Sequence, residues 1–166
     1  VLEQRHRDRI NIFLGKEYDS QGIGYNLNQS IIAIGSGGLN GKGFLKGTQT
    51  KGDFVPEQHT DFIFSVIGEE FGFVGSVSVL ALFAIVMWRC MRTARKSPDL
   101  LGTLICCGVL TLFAFQMFQS VGMTLGIMPI TGIPIPFVSY GGSSAISCFV
   151  GIGLVLNIHM RRYQVV

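Results

Sequence analysis

The chain has 166 residues, of which 48% are hydrophobic and 14% are charged, and its net charge is +3. Soluble domains usually carry about 25% charged residues, so the composition argues against a soluble protein. The basic residues fall into separate segments and form no single stripe with interleaved aromatics, so no nucleic-acid partner is predicted.

The distribution of charge predicts a membrane protein. Residues 100–158 contain no Asp, Glu, Lys or Arg, an uncharged run of 59 residues. As one helix this run would be roughly 90 Å long, whereas a membrane core is about 30 Å thick. The prolines and glycine of PITGIPIP interrupt the run, so it is expected to fold back and cross twice.

The first third of the chain is polar and rich in glycine. Residues 23–34 (IGYNLNQSIIAI) predict a short amphipathic helix on the membrane surface, too short to cross it. The following GSGGLNGKGFLKGTQTKG predicts a loop whose backbone visits positive φ. A backbone cradle for phosphate is the alternative here, although the Walker A spacing is missing.

Helix lengths and loop charges together predict the organisation and its orientation. Short basic loops stay on the inner side of a membrane, which places residues 89–96 and the basic C-terminal tail inside. The predicted order is an outer loop over 1–61, spans over 62–88, 100–128 and 137–158, an inner basic loop over 89–99, an outer Pro-rich hairpin over 129–136 and an inner tail over 159–166.

Acidic residues collect just before the first span, within KGDFVPEQHTDFIF. Pro56 suits the first turn of a helix, and Glu57 suits its positive end. If this helix continues into the span, Glu57 and Asp61 lie one turn apart on one face. Two carboxylates at a water–membrane boundary raise each other's pKa towards neutrality. A dipole-stabilised structural acid is the alternative for Asp61.

Below these carboxylates the same helical face carries only small residues, Ser65, Gly68, Gly72 and Gly75. Such a face serves either close helix packing or a groove that admits a lipid tail. Glu69 and Glu70 are expected to pair with cations from spans outside this chain.

The start of the third span, PFVSYGGSS, contains Ser139, Tyr140, Gly141, Gly142 and Ser143. The two glycines permit an irregular backbone that lines a cavity, and an open helix start can present N–H groups to an anion. A simple turn into the helix is the alternative.

Three motifs in this order, SIIAIGSGGLNGKGFLKGTQ, PEQHTDFIFSVIGEEFGFVG and GIPIPFVSYGGSS, resemble the SEDS family (shape, elongation, division and sporulation), in particular its rod-shape branch. The resemblance covers nearly the whole chain. It implies an all-α, polytopic helical bundle in the bacterial inner membrane. This chain would supply the end of a large periplasmic loop with short surface helices and the last three of about ten transmembrane helices.

The resemblance also implies a function. Members are peptidoglycan glycosyltransferases that polymerise lipid II on the outer face of the membrane, in complex with a class B penicillin-binding protein and among membrane lipids. The essential acid of the HTDF motif is Asp61, and the acid of the PE motif is Glu57. Many relatives have Glu where this chain has Asp53, which conserves the carboxylate.

Chemistry assigns roles to these residues. Asp61 is expected to act as the general base, while Glu57 tunes its pKa or holds a divalent cation, Mg²⁺ or Mn²⁺. Lys42 and Lys46 are candidates to bind the departing pyrophosphate, and residues 139–143 to bind substrate. Two other functions stay open: a lipid II flippase that uses Glu69 and Glu70, and a non-catalytic scaffold that activates the penicillin-binding protein.

Overall fold

The computed structural model describes residues 23–48 and 60–161, and the regular elements within these residues are helices. They are α1 (Ile23–Gly37), α2 (Ile63–Arg95), α3 (Leu100–Thr124) and α4 (Gly142–Arg161). The last three are long and apolar enough to cross a membrane. The predicted all-α architecture with a short helix and three spans is confirmed.

The helices form one bundle in which α2 contacts each of the other three. Phe113 of α3 and Phe64 of α2 lie in the main core, together with Ile135 from the segment between α3 and α4. Large apolar side chains such as Leu82, Phe118 and Phe149 are exposed on the outside of the bundle. An apolar exterior of this kind is suited to hydrocarbon.

The helix bounds differ from the predicted spans at both ends. Helix α2 continues past residue 88 to Arg95, so most of the predicted inner basic loop is helical. Arg and Lys are good helix formers, and cations stabilise the C-terminal end of a helix. Helix α4 begins at Gly142 rather than at 137, since residues 137–141 belong to the preceding irregular segment.

Helix α3 ends earlier than predicted because a glycine closes it. Gly126 has φ +74°, and the Ile127 N–H donates to the Gly122 carbonyl (2.8 Å). The Gly126 N–H donates to the Met123 carbonyl (3.2 Å). These two bonds form a Schellman motif, which satisfies the last carbonyls of the helix.

Helix α2 is interrupted at Gly72, where φ is +67° and ψ is −160°. Only glycine adopts this conformation without strain. The interruption divides α2 into a short part, residues 63–71, and a long part, residues 73–95. The predicted continuous small-residue face therefore bends at Gly72.

Candidate functional site

Asp61 lies in the turn that precedes α2 and is partly buried. Phe62 and Phe64, which follow Asp61, are each 3% exposed and anchor the turn in the bundle. The Ser65 N–H donates to the Phe62 carbonyl (2.9 Å). The expectation that Asp61 continues the helix of the first span is wrong, because α2 begins only at Ile63. Glu57, its predicted partner, lies outside the described residues.

The Asp61 carboxylate lies against Gly132, in the middle of the Pro-rich segment. A Cβ placed on Gly132 would be 3.0 Å from Asp61 Oδ2 and 3.8 Å from its Cγ. Gly132 also has φ +71°, which a side chain would oppose. A glycine here therefore leaves room for the carboxylate at the surface of the bundle.

The Pro-rich segment is held firmly in place. Ile135 is 1% exposed and belongs to the main core. Its N–H donates to Ser139 Oγ (2.9 Å), and the Ser139 N–H donates to its carbonyl (3.1 Å). Gln119 Nε2 of α3 donates to the Pro129 carbonyl (3.0 Å). These contacts fix the position of Gly132 against Asp61.

A cavity of about 640 Å³ opens beside this turn. One wall is Ile63, two residues after Asp61, and most of the rest is the start of the third span. The lining residues are Ile63, Val138, Ser139, Tyr140, Gly141, Gly142 and Ala145. Four of the five residues predicted to bind substrate here thus share one cavity with the first residue of α2.

The individual side chains in this cavity differ in availability. Tyr140 is 82% exposed, so its hydroxyl is open to a ligand. Ser139 Oγ accepts a hydrogen bond from Ile135 and keeps its own hydrogen to donate. Ser143 is exposed in the first turn of α4 and is not part of the cavity wall.

The glycine-rich loop after α1 packs into the interruption of α2. Breaking a helix leaves carbonyls unpaired on one side and N–H groups unpaired on the other. Lys42 and Gly43 donate their N–H groups to the carbonyls of Glu69 and Glu70 (both 3.0 Å). In return, Phe73 N–H donates to the Gly38 carbonyl (2.9 Å), and the next amide, Val74, to the Leu39 carbonyl (3.1 Å). The loop therefore replaces the missing helical bonds.

An ion pair reinforces this junction. Lys42 Nζ lies 2.8 Å from Glu69 Oε1, and the Glu69 side chain is fully buried. The Thr48 hydroxyl accepts from Lys42 (2.7 Å) and donates to Glu69 (3.2 Å). The cation expected for Glu69 from spans outside the chain is thus Lys42, from the chain's own loop.

The two predicted pyrophosphate ligands have different surroundings. Lys42 holds Glu69, which lies six residues after Ile63 and hence about 9 Å further along the helix. Lys46 is exposed, and its N–H donates to the Gly43 carbonyl (3.0 Å). Of the two, Lys46 is the better placed to meet an external phosphate.

The small residues on the first part of α2 serve close packing. Ser65 Oγ lies 2.6 Å from Ser30 Oγ of α1, and a Cβ on Gly68 would meet Ile34 at 3.0 Å. Beside this contact an apolar cavity of about 490 Å³ includes Gly68, Gly72 and Leu80 in its wall. Both expectations for this face, close packing and an apolar groove, therefore have a structural counterpart.

The divalent cation stays a prediction. Within residues 23–48 and 60–161, no three side chains of His, Cys, Asp or Glu come together. Asp61 alone does not make a site for Mg²⁺, which prefers several oxygen ligands. Glu57 would have to supply a second carboxylate.

Two features of the site were missed in the sequence. The contact between Asp61 and Gly132 joins residues 71 positions apart, and its only signal is a glycine within a Pro-rich segment. The loop insertion at Gly72 has a better signal, since glycines at both contact points and a carboxylate inside an apolar run occur together.

Comparisons with known proteins agree with this architecture. A solved structure described as "Structural coordination of polymerization and crosslinking by a peptidoglycan synthase complex" is similar with a TM-score of 0.79 and 35% identity. The match covers 99% of this chain and 44% of that chain.

Curated relatives are similar over almost the entire chain. Peptidoglycan glycosyltransferase MrdB of Escherichia coli (strain K12) is 43% identical over 98% of this chain. Peptidoglycan glycosyltransferase RodA of Treponema pallidum (strain Nichols) is 46% identical over 98%, and stage V sporulation protein E of Bacillus subtilis (strain 168) is 40% identical over 99%. The chain spans 44%, 37% and 44% of these relatives' own lengths.

The family model for FtsW, RodA and SpoVE, described as "Cell cycle protein", matches residues 1–164. The three apolar helices of this chain and the names of its relatives agree with this match. This chain is therefore a membrane protein that belongs to the FtsW/RodA/SpoVE (SEDS) family.

Proposed function

We propose that this chain forms part of a peptidoglycan glycosyltransferase that polymerises lipid II into glycan strands during cell elongation, with Asp61 as the general base. The single observation that carries the proposal is the position of Asp61. Its carboxylate lies on the surface of Gly132, next to a cavity of about 640 Å³ at one end of the spans. The names of the relatives as glycosyltransferases support the reaction class.

The reaction requires a base at such a place. A β-linked strand grown from an α-linked lipid pyrophosphate donor requires one inverting displacement. The acceptor 4-hydroxyl oxygen forms the new bond to the donor C1 as its proton passes to the Asp61 carboxylate. The C1–O bond to pyrophosphate breaks, and the leaving group departs with the electron pair. Lys46 is proposed to stabilise that negative charge.

Residues beside Asp61 are proposed to position the acceptor. Tyr140 and Ser139 offer hydroxyl groups in the adjacent cavity, and the start of α4 offers backbone N–H groups. Glu57 is proposed to tune the Asp61 carboxylate or to hold a divalent cation with it. The catalytic end of the spans is proposed to face the periplasm, and a class B penicillin-binding protein is proposed as the partner.

The pairing of Glu69 supports synthesis over transport. A flippase would use carboxylates inside the membrane to move a charged headgroup. Here Lys42 neutralises Glu69, and the pair fastens a loop to a broken helix. Glu69 therefore has a structural role, and Asp61 lies at the end of the bundle beside an open cavity.

The test is lipid II polymerisation by the protein expressed from its complete reading frame and purified with its penicillin-binding partner. We expect Asp61→Asn to abolish glycan synthesis, because the amide cannot accept the proton. Asp99→Asn is the matched control, since Asp99 is an exposed acid at the opposite end of α2 and α3. Wild-type glycan synthesis by Asp61→Asn would refute the catalytic role.

A further inference from the structure

A basic cavity lies at the end of α2 that is remote from Asp61. Arg89, Arg92, Thr93 and Lys96 are spaced so that all four lie on one helical face, and His159 of α4 completes the wall of a cavity of about 150 Å³. Among the residues that the structure describes, no Asp or Glu is part of this wall. Three cations around one cavity repel each other, so an anion in it would be stabilised.

The side chains in this cavity are partly ordered by their neighbours. The Arg92 guanidinium lies 5.8 Å from the centre of the Trp88 ring, a cation–π contact. The Thr93 hydroxyl donates to the Arg89 carbonyl (3.0 Å) and lies 3.4 Å from His159 Nδ1. Because that hydroxyl has one hydrogen, Nδ1 is the donor in the second contact. These contacts fix the cavity wall before a ligand arrives.

An apolar groove continues from the basic cavity between α2 and α4. It measures about 190 Å³ and shares Arg89, Thr93 and His159 with the cavity. The rest of its wall consists of aliphatic side chains and one cysteine: Ile85, Val86, Cys90, Ile152, Val155 and Leu156. A charged mouth that opens into an apolar groove fits a ligand with an anionic head and a hydrocarbon tail.

The combined site runs along α2 from a basic end to an apolar end. Lys96 and Ile85 are eleven residues apart on this helix, which corresponds to about 16 Å. An anionic headgroup beside the cations at the end of α2 can therefore extend a hydrocarbon chain along the groove towards the middle of the span.

We propose that this site binds an anionic phospholipid, with its phosphate held by Arg89, Arg92 and Lys96 and one acyl chain in the groove between α2 and α4. The site is separate from Asp61 and independent of the glycosyltransferase proposal. A free phosphate ion would satisfy the cations but leave the groove unfilled, which is why a lipid is the proposed occupant.

The experiment measures phosphatidylglycerol binding to the protein from its complete reading frame by native mass spectrometry in detergent. Zwitterionic phosphatidylcholine, whose net charge is zero, is the comparison. We expect the Arg89→Gln, Arg92→Gln, Lys96→Gln triple variant to bind phosphatidylglycerol about a hundredfold more weakly, at about fivefold per cation. Arg95→Gln is the matched control, because Arg95 is exposed on the same helix end but belongs to neither wall.

A second pair of variants tests the groove. Leu156→Trp fills it and should weaken phosphatidylglycerol binding at least tenfold, whereas Leu154→Trp, at an exposed position outside both walls, should not. Should the triple variant fail to fold, Arg92→Gln alone must still lose about fivefold. Equal losses in the triple variant and Arg95→Gln would overturn the proposal, as would displacement of the lipid by equimolar inorganic phosphate.

Discussion

Replacing Lys42 by methionine should destabilise the protein more than replacing its partner Glu69 by glutamine. Lys42 Nζ is 2.8 Å from a glutamate whose side chain is fully buried, while the lysine side chain is itself 28% exposed. Methionine keeps most of the apolar stem but removes the ammonium. The buried carboxylate then loses the ammonium group that lies 2.8 Å away.

The magnitude follows from this asymmetry. Removing one partner of a buried ion pair costs about 3–5 kcal/mol, and we expect the lower end, about 3 kcal/mol, because the Lys42 side chain reaches water. Glu69→Gln should cost only about 1 kcal/mol, since the remaining ammonium is solvated and the amide oxygen still accepts a hydrogen bond. The double variant should resemble Glu69→Gln, which implies a coupling energy of about 3 kcal/mol.

The assay is denaturant titration of the complete protein in detergent for the wild type, both single variants and the double variant. Lys46→Met is the control, because Lys46 is a nearby lysine of the same loop with an exposed side chain. If Lys42→Met is no less stable than Lys46→Met, or if adding Glu69→Gln fails to rescue it, the ion pair does not hold the loop on α2.

Two glycine substitutions test the geometry around the site and the junction. Gly132→Ala should reduce glycan synthesis at least tenfold by displacing the Asp61 carboxylate. Gly126→Ala is the control, because Gly126 has a similar φ of +74° but no contact with Asp61; it should lower stability and spare the activity of the folded protein. Equal activity losses in the two variants would contradict the steric role of Gly132. Gly72→Ala should cost about 1–3 kcal/mol from backbone strain alone, and more from collision with the loop. Gly108 lies within helix α3 and has open space around it, so Gly108→Ala should be neutral or stabilising in the same denaturant titration. An equally neutral Gly72→Ala would refute the packing of the loop against the helix interruption at Gly72.

The spans could be predicted from the sequence because hydropathy and charge report directly on burial in hydrocarbon. The uncharged run and its Pro-rich interruption predict two crossings, and α3 and α4 are found there. The span limits were less predictable. Residues 89–95 include charged residues yet remain helical, since charge indicates where a helix leaves the hydrocarbon and not where the helix itself ends.

The junction at Gly72 was not predictable in the same way. The hydropathy pattern indicates one continuous span, whereas the backbone leaves the helical conformation at Gly72. Its cause is a loop about 30 residues earlier in the chain, and neither local propensity nor periodicity reports such long-range backbone pairing. Glu69 is unusual inside a span, but no sequence pattern indicates Lys42 as its partner.

Polar contacts act together with the burial of Phe62 and Phe64 to determine where Asp61 lies. Inside a membrane, apolar side chains gain little by leaving lipid for protein, so small residues and hydrogen bonds hold helices together. Ser30 Oγ donates to the Thr124 carbonyl (2.8 Å) and therefore accepts from Ser65, which links α1, α3 and the short part of α2 through one hydroxyl. The turn that contains Asp61 precedes that short part, and the Gly72 junction follows it. The carboxylate is thus positioned by three helices and a loop, and its placement against Gly132 follows from contacts that a lipid environment cannot replace.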